Sequence, residues 1–287
     1  MPRGGRGYSR AMARAPRIEV ENGLYHLDAR GNERKPIYRD AVDRKRFLEI
    51  LELISERYGW RVLVYCLMTN HYHLLVQTPR PNLACGMRQL NGVHAQAFNR
   101  RYGRDGHLFQ GRYSAVLLQA DEHLLNAVRY IIRNPLRAGV CARVEEWRWS
   151  SHAATIGVRT PGFLATDLLL SYLGESRASA RERYLGLVEA EGDAPGPRHP
   201  LLDGDDHFIA LHLEALPPNP DYPRAHLRPP RPSLADLLAG SADASAIAHA
   251  HREHGYSMRE IATQLQCGLT TIHRRIRAYE TEQMVSR

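Results

Sequence analysis

Residues 60–77, WRVLVYCLMTNHYHLLVQ, are the stretch that decides the fold. Two apolar runs flank the turn-forming pair TN, so the pattern predicts a β-hairpin. In a strand successive side chains point to opposite faces, which places His71 and His73 together on one face and Tyr72 on the other. Two adjacent imidazoles could hold a divalent metal ion, or they could be ordinary polar residues on a solvated face. The pair alone leaves both interpretations open.

Patterns on either side of the hairpin predict the rest of the first domain. Their order is strand, helix, hairpin, helix, strand, which is the split βαβ or ferredoxin-like arrangement, with one further helix behind it. We therefore expect an α+β fold whose antiparallel sheet carries helices on one face and has the hairpin strands at its centre. The expected strands are 22–30, 60–68, 71–77 and 111–119, and the expected helices are 39–58, 82–101 and a third, capped by Asp121, that ends at Asn134 before Pro135.

The net charge of +8 is unevenly distributed along the chain. Residues 1–160 carry 26 Arg and Lys against 14 Asp and Glu, a balance of +12, whereas the remaining residues carry 13 against 17, a balance of −4. A basic first half suggests a polyanionic partner such as nucleic acid. The four cysteines form no C-x-x-C pair and fit reduced thiols. Without an apolar run of membrane-spanning length, we expect a soluble, cytoplasmic, nucleoid-associated protein with no membrane partner.

Composition divides the chain into five expected segments. Ten of the 17 prolines fall between Gly192 and Pro232, a density that disfavours regular structure and is typical of an extended linker. Helical periodicity returns beyond it. The expected segments are a flexible basic arm (1–16), a catalytic domain (17–160), a helical extension (161–190), a Pro-rich linker (191–232) and a helix-turn-helix domain (233–287).

The last segment has the pattern of an all-α DNA-binding domain. Ser257 is an N-cap residue, and Glu260 completes a capping box. A glycine-containing turn separates this helix from a second one that carries Arg274, Arg275 and Arg277, as in a helix-turn-helix that binds duplex DNA. The alternative is a helical hairpin that forms a homodimer.

Tyr130 and Asn134 lie four residues apart, on one face of the helix that follows the fourth strand. A tyrosine near a helix end usually belongs to the core, so Tyr130 alone would indicate little. Beside the histidine pair, however, a metal ion could polarise a phosphate oxygen while the phenol attacks phosphorus. Asn134 offers a neutral oxygen as a third ligand, suited to Mg²⁺ or Mn²⁺.

The loop GRDGHLFQGR, residues 103–112, places Arg104 and Arg112 near Phe109. Cationic and aromatic side chains together suit a single strand of nucleotides, although a solvated loop has a similar composition. Tyr113, on the strand that follows, is expected to pack in the core or a DNA groove. His26 is interpreted as structural.

Several separate motifs, covering about residues 17–156, resemble the REP-associated tyrosine transposases, which are HUH single-tyrosine transposases. The resemblance implies a ferredoxin-like fold, with His71 and His73 as the metal-binding pair. It further implies Tyr130 as the nucleophile and Asn134 as the residue that completes the metal site. Tyr72 departs from the aliphatic residue usual between the two histidines. The motifs are GLYHLDARGNERKPIYRD, YCLMTNHYHLLVQTP, GHLFQGRY, RYIIRNPLRAGV and WRWSSH.

The resemblance implies a metal-dependent transposase that cleaves and rejoins single-stranded DNA at hairpin-flanked repeats. The reaction would form a 5′-phosphotyrosine and leave a free 3′-OH. The alternative is a domesticated regulator that binds DNA without chemistry. Because the H-x-H pair and the helical tyrosine occur together, we favour the enzyme.

Overall fold

The computed structural model describes residues 16–120, 122–158, 162–190, 192, 197–219, 222, 227, 232–239, 242–252, 254 and 256–285. The chain divides into two compact units, Met1–Leu227 and Arg228–Arg287, and each is described by itself. The predicted basic arm, apart from Pro16, and the predicted helix cap at position 121 lie outside the described residues. In the described part of the chain, no helix is both long and apolar enough to cross a membrane.

The first unit is built on a five-stranded sheet. Its strands are β1 (Gly23–Arg30), β2 (Arg61–Leu67), β3 (His71–Thr78), β4 (Ser114–Leu118) and β5 (Leu202–Asp203), in the order β2-β3-β1-β4-β5. The predicted hairpin is present, and β3 is an interior strand. The expectation that both hairpin strands are central was wrong, because β2 lies at the edge. The sheet is also not wholly antiparallel, since β5 pairs in parallel with β4.

Seven helices of the first unit lie within the described residues, with two short 3₁₀ turns at Asn32–Arg34 and Val144–Glu146. The first helix begins where the Asp40 carboxylate accepts hydrogen bonds from two backbone amides, and it ends at Gly59, whose left-handed φ of 71° suits glycine. The helices are α1 (Ala41–Tyr58), α2 (Leu83–Tyr102), α3 (Glu122–Arg137), α4 (His152–Thr155), α5 (Thr166–Ser171), α6 (Arg177–Glu189) and α7 (Asp206–Glu214).

Helices cover both faces of the sheet, so the prediction of helices on one face was wrong. Side chains of α1 and α2 form one core with Tyr25, Leu27 and Tyr72 of the sheet. Side chains of α3, α5 and α6 form a second core with the strand residues that point to the other face of the sheet, among them Leu24 and Leu75. The physical reason is visible in β2 and β3, which are apolar on both sides and therefore need cover on both.

Helix α3 continues past Pro135 to Arg137, whereas the sequence predicted its end at Asn134. A proline in a helix removes one backbone donor and its ring crowds the preceding turn, at a cost of about 3 kcal/mol. Pro135 itself is buried, Leu136 packs against the second core, and the Ala138 amide donates to the Asn134 carbonyl at 3.0 Å. These contacts lie beyond the predicted end and favour the longer helix.

Part of the predicted Pro-rich linker is folded. Strand β5 and helix α7 both lie between residues 201 and 216, where the chain has no proline. Leu202 and Ile209 are fully buried in the core beside α1 and α2. The prolines flank this segment instead of interrupting it, so overall composition was a poor guide to local structure.

The second unit is a small helical core. Ile247, Ile261 and Ile272 are fully buried and pack together. The predicted capping box is confirmed, because Ser257 Oγ accepts from the Glu260 amide and Glu260 Oε2 accepts from the Ser257 amide. Its described helices are α8 (Leu234–Leu238), α9 (Ala244–Arg252), α10 (Met258–Gln264) and α11 (Leu269–Val285).

Burial of His94 makes the stability of the first unit depend on pH. Its Nε2 donates to the Ile37 carbonyl at 3.0 Å, and burial lowers its pKa to about 4. An unfolded histidine has a pKa near 6.5, so the unfolded state binds more protons between pH 6.5 and 4, and stability falls as the pH drops through that window. We expect His94 to account for a loss of about 2 kcal/mol between pH 7 and pH 5.

Urea unfolding at a series of pH values measures this loss. His94→Gln keeps an amide donor but does not titrate, so its stability should change less with pH than that of the parent. Equal pH dependence in the two proteins would contradict the assignment to His94.

Candidate active site

A cavity of about 480 Å³ lies on the side of the sheet that carries α3. Side chains from β1, β3, β4 and α3 line it, together with the segment that leads into β5. Its polar lining residues are His26, Asp28, Arg30, His73, Ser114, Asn126, Tyr130, Arg137 and Asp203.

The histidine pair has the arrangement expected from strand alternation. The rings of His71 and His73 are perpendicular, with centroids 5.1 Å apart. Tyr72 points to the opposite face, where it is fully buried and its hydroxyl donates to Asn91 Oδ1 at 2.6 Å. The two imidazoles are therefore held by an interior strand and not by a mobile loop.

Helix α3 brings its two singled-out residues to the histidines. The ring of Tyr130 lies 5.5 Å from that of His73, edge to face. One turn later, Asn134 Oδ1 lies 3.3 Å from His71 Nε2. All four residues singled out from the sequence for the metal site and the nucleophile thus meet at one place.

His26 belongs to the same cluster, although the sequence indicated a structural role. Its Nε2 lies 3.0 Å from His73 Nδ1, and its ring centroid is 5.7 Å from that of Tyr130. The contact exists because β1 pairs with β3, with Asp28 directly opposite His73. A histidine two residues before Asp28 shares that face. Only knowledge of this pairing could have identified His26.

Charged side chains surround the tyrosine. The guanidinium of Arg137 lies 4.9 Å from the ring centroid of Tyr130, and Arg30 also lines the cavity. Burial raises the pKa of Asp28, an effect opposed by its hydrogen bond with Ser114. Arg30 and Arg137 thus share the cavity lining with the carboxyl groups of Asp28 and Asp203, and a guanidinium is a side chain that can bind a phosphate group.

Desolvation keeps the three imidazoles neutral at neutral pH. It lowers the pKa of His26 to about 4 and, reinforced by His26 and His71, lowers the pKa of His73 well below its usual range. The pKa of His71 is lowered by desolvation and by the charge of Arg30. A neutral imidazole has a free lone pair, the form in which histidine binds metal ions.

Two imidazole nitrogens and one amide oxygen are the candidate donor atoms for a divalent cation. The described residues contain no group of three or more His, Cys, Asp or Glu side chains that could hold a metal. The candidate set is instead two imidazoles, His71 and His73, and the amide oxygen of Asn134. Adjacent ligands of an octahedral ion at about 2.1 Å are roughly 3 Å apart. The 3.3 Å between His71 Nε2 and Asn134 Oδ1 is close to that separation.

The residues singled out in the 103–112 loop lie elsewhere. The ring of Phe109 packs against Tyr72 and His94, on the face opposite the histidine pair. Arg104 lies over the ring of Phe98, and Arg112 lines a second cavity with Phe109.

Tyr113 packs on the side of the sheet opposite the candidate metal ligands. Its hydroxyl accepts a hydrogen bond from Arg17, and its ring packs with the α1–α2 core. Tyr130 is therefore the better placed of the two tyrosines.

Residues 19–134 match the model of the family described as "Transposase IS200 like". The match covers the four antiparallel strands and α3 as far as Asn134. It confirms the resemblance to tyrosine transposases that the sequence motifs indicated.

Three individual proteins match parts of this chain. A protein of Haemophilus influenzae, named as a REP-associated tyrosine transposase, is 28% identical over 144 residues, which cover 46% of this chain and 81% of that protein. A solved REP-associated tyrosine transposase, bound to a REP hairpin, gives a TM-score of 0.45 at 15% identity, covering 54% of this chain and 90% of that one. A protein named as a transposase, from Deinococcus radiodurans R1, gives 0.30 at 19% identity, with 51% and 98% covered.

Proposed function

We propose that residues 17–160 form a metal-dependent HUH single-tyrosine transposase domain that cleaves and rejoins single-stranded DNA through Tyr130. The observation that carries the proposal is the meeting of Tyr130 with the histidine pair, at 5.5 Å between the rings of Tyr130 and His73. The domain is proposed to be ferredoxin-like, supported by the order β2-β3-β1-β4 of its first four strands. The helical extension would then cover the second face of its sheet.

The proposed metal ligands are His71, His73 and Asn134, and the proposed ion is Mg²⁺ or Mn²⁺. A divalent cation held there would neutralise charge on a phosphate oxygen. The protein contributes two further positive charges beside the tyrosine, from Arg30 and Arg137. These guanidinium groups would orient the phosphodiester.

The proposed reaction is an exchange of one phosphoester bond for another. The hydroxyl of Tyr130 loses its proton and attacks phosphorus, forming a tyrosine–phosphate bond to the 5′ side of the DNA. The bond to the 3′ oxygen breaks, and that oxygen takes up a proton to become a free 3′-OH. Rejoining is the reverse attack by a 3′-OH. The substrate proposed from the sequence resemblance is hairpin-flanked repeat DNA in the nucleoid.

The alternative, a DNA-binding regulator without chemistry, is less well supported. Such a protein would have no need to keep a tyrosine, two neutral imidazoles and an amide oxygen together. Arg104, Phe109 and Arg112 would serve either function as a DNA contact surface, away from the histidine face.

Tyr130→Phe is expected to abolish covalent attachment to DNA while leaving hairpin binding close to that of the parent. Phenylalanine keeps the ring packing but lacks the attacking oxygen. The measurement is a denaturing gel with a labelled hairpin oligonucleotide in Mg²⁺, followed by peptide mapping of the adduct.

Tyr113→Phe is the matched control, and it should form the adduct. An adduct on Tyr130→Phe, or one mapped to Tyr113, would show that the nucleophile is misassigned. A parent protein that binds hairpin DNA but forms no adduct would favour the regulator.

His71→Ala is expected to abolish cleavage and to change the melting temperature little, because this half-buried ring contributes more to the site than to the core. Cleavage is measured at low Mg²⁺, and melting by circular dichroism. His207→Ala, at an exposed position on α7, is the control and should cleave normally. Normal cleavage by His71→Ala would refute the metal assignment.

The second unit is proposed to be a helix-turn-helix that binds duplex DNA. Ile272 and Ile276 of α11 are buried in its core, whereas Arg274, Arg275 and Arg277 are exposed. Arg275 Nη1 donates to the Ala242 carbonyl at 3.0 Å, so this side chain also holds α11 to the segment before α9.

Arg274→Ala is expected to weaken duplex binding and to reduce the slope of log affinity against log salt by about 0.9, the loss of one phosphate contact. Fluorescence anisotropy across a salt series measures both quantities. Arg177→Ala, at an exposed site on α6, should change neither. Unchanged duplex affinity in Arg274→Ala, with dimers in sedimentation experiments, would favour the dimerisation interpretation.

A further inference from the structure

In both imidazoles of the H-x-H pair, Nδ1 is the ring nitrogen that contacts another side chain. His71 Nδ1 lies 2.7 Å from Asn70 Oδ1, and His73 Nδ1 lies 3.0 Å from His26 Nε2. In each ring this leaves Nε2 as the nitrogen available to a ligand. Two residues from different elements thus make the same kind of contact with the pair.

The orientation of the Asn70 amide fixes the tautomer of His71. Asn70 Nδ2 donates to the Arg34 carbonyl at 2.9 Å, so Oδ1 is the atom that faces His71. An amide oxygen only accepts, and therefore His71 Nδ1 carries the proton and donates it. The Nε2 of a neutral His71 then presents a lone pair 3.3 Å from Asn134 Oδ1, another acceptor. Two acceptors this close repel each other, and a cation between His71 Nε2 and Asn134 Oδ1 would remove the repulsion.

His26 can act in the same way on His73. His73 is only 6% exposed, so its partners in the protein, and not water, set its tautomer. When His73 Nδ1 donates to His26 Nε2, the lone pair of His73 lies on Nε2. The adjacent strand holds His26 in reach, because β1 pairs with β3 along its whole length.

We propose that Asn70 and His26 are positioning residues that hold His71 and His73 with Nε2 lone pairs directed to the metal site. The inference rests on the proposed function, since it assumes that the histidine pair binds the ion. Hydrogen bonds to the outer nitrogen of a ligating histidine fix its ring and tautomer, and their loss typically lowers metal affinity 10–100-fold.

The test is a titration of the full-length, DNA-free protein with Mn²⁺, in which electron paramagnetic resonance counts the free ion. Asn70→Ala and His26→Ala should each weaken Mn²⁺ binding by roughly 10–100-fold. Asn70→Asp keeps an oxygen acceptor for His71 Nδ1, and His26→Gln replaces the nitrogen acceptor of His73 Nδ1 with an amide oxygen, so both affinities for Mn²⁺ should stay near that of the parent. Asn70→Asp also loses the hydrogen bond that Asn70 Nδ2 donates to the Arg34 carbonyl. This variant therefore tests whether Mn²⁺ affinity depends on the contact with His71 or on the contact that supports the turn.

Asn82→Ala is the matched control for loss of an asparagine that bridges to backbone. Its amide donates to the Tyr58 carbonyl and accepts from Trp60 Nε1, away from the histidines, and its replacement should leave Mn²⁺ affinity unchanged. Circular dichroism confirms that each variant is folded.

The outcomes separate this inference from the proposed function. If the parent binds Mn²⁺, His71→Ala does not, and both Asn70→Ala and His26→Ala bind like the parent, the positioning role is refuted while the metal site stands. If Asn70→Ala and Asn70→Asp lose Mn²⁺ affinity equally, the positioning role of Asn70 is also refuted. If the parent binds no Mn²⁺, the proposed metal site itself falls, and this inference falls with it.

Discussion

The alternation of side chains along β3 is the constraint on which the rest of this site depends. Because the strand period is two, His71 and His73 share one face and Tyr72 must occupy the other. Tyr72 is fully buried against α1 and α2, so a shift of one residue would place both imidazoles in that apolar core and turn the tyrosine to the other face. The apolar core on one side of the sheet therefore fixes the polar site on the other.

The neutral imidazoles of His71 and His73 are stable in this site because each has a hydrogen-bond partner. A buried imidazole without a hydrogen bond costs about 1–3 kcal/mol. Here the Nδ1 atoms of His71 and His73 are both engaged, by Asn70 and His26. Their protonation would place positive charges beside Arg30, which also lowers the pKa of His71 and of His73. The site thus favours the neutral form of both histidines, with a free lone pair on each ring. The contacts of Asn70 and His26 with the two Nδ1 atoms contribute to this preference as much as the histidines themselves do.

The local sequence pattern was sufficient to predict the features that depend on the strand or helix period and on the spacing of residues. It predicted the hairpin, the shared face of His71 and His73, and the capping box at Ser257. It could not predict contacts that depend on distant pairing. His26 joins the site only because β1 lies beside β3. Strand β5 joins the sheet across more than eighty residues, with His123 Nδ1 lying 2.9 Å from Asp203 Oδ1. Nothing in the proline-rich composition around β5 indicates its partner.

The geometry of α3 follows from two contacts that only one placement of the helix can satisfy. Tyr130 and Asn134 are one turn apart, about 6 Å along the axis, and they lie against His73 and His71 respectively. A rotation of the helix by one residue, about 100°, would remove both contacts and would also expose Val128 or Ile131, which are fully buried. The packing that stabilises α3 therefore also positions Tyr130, the proposed nucleophile, relative to Asn134, the third proposed ligand. Helix and strand periods together give the site its precision, which loops could supply only at a greater entropic cost.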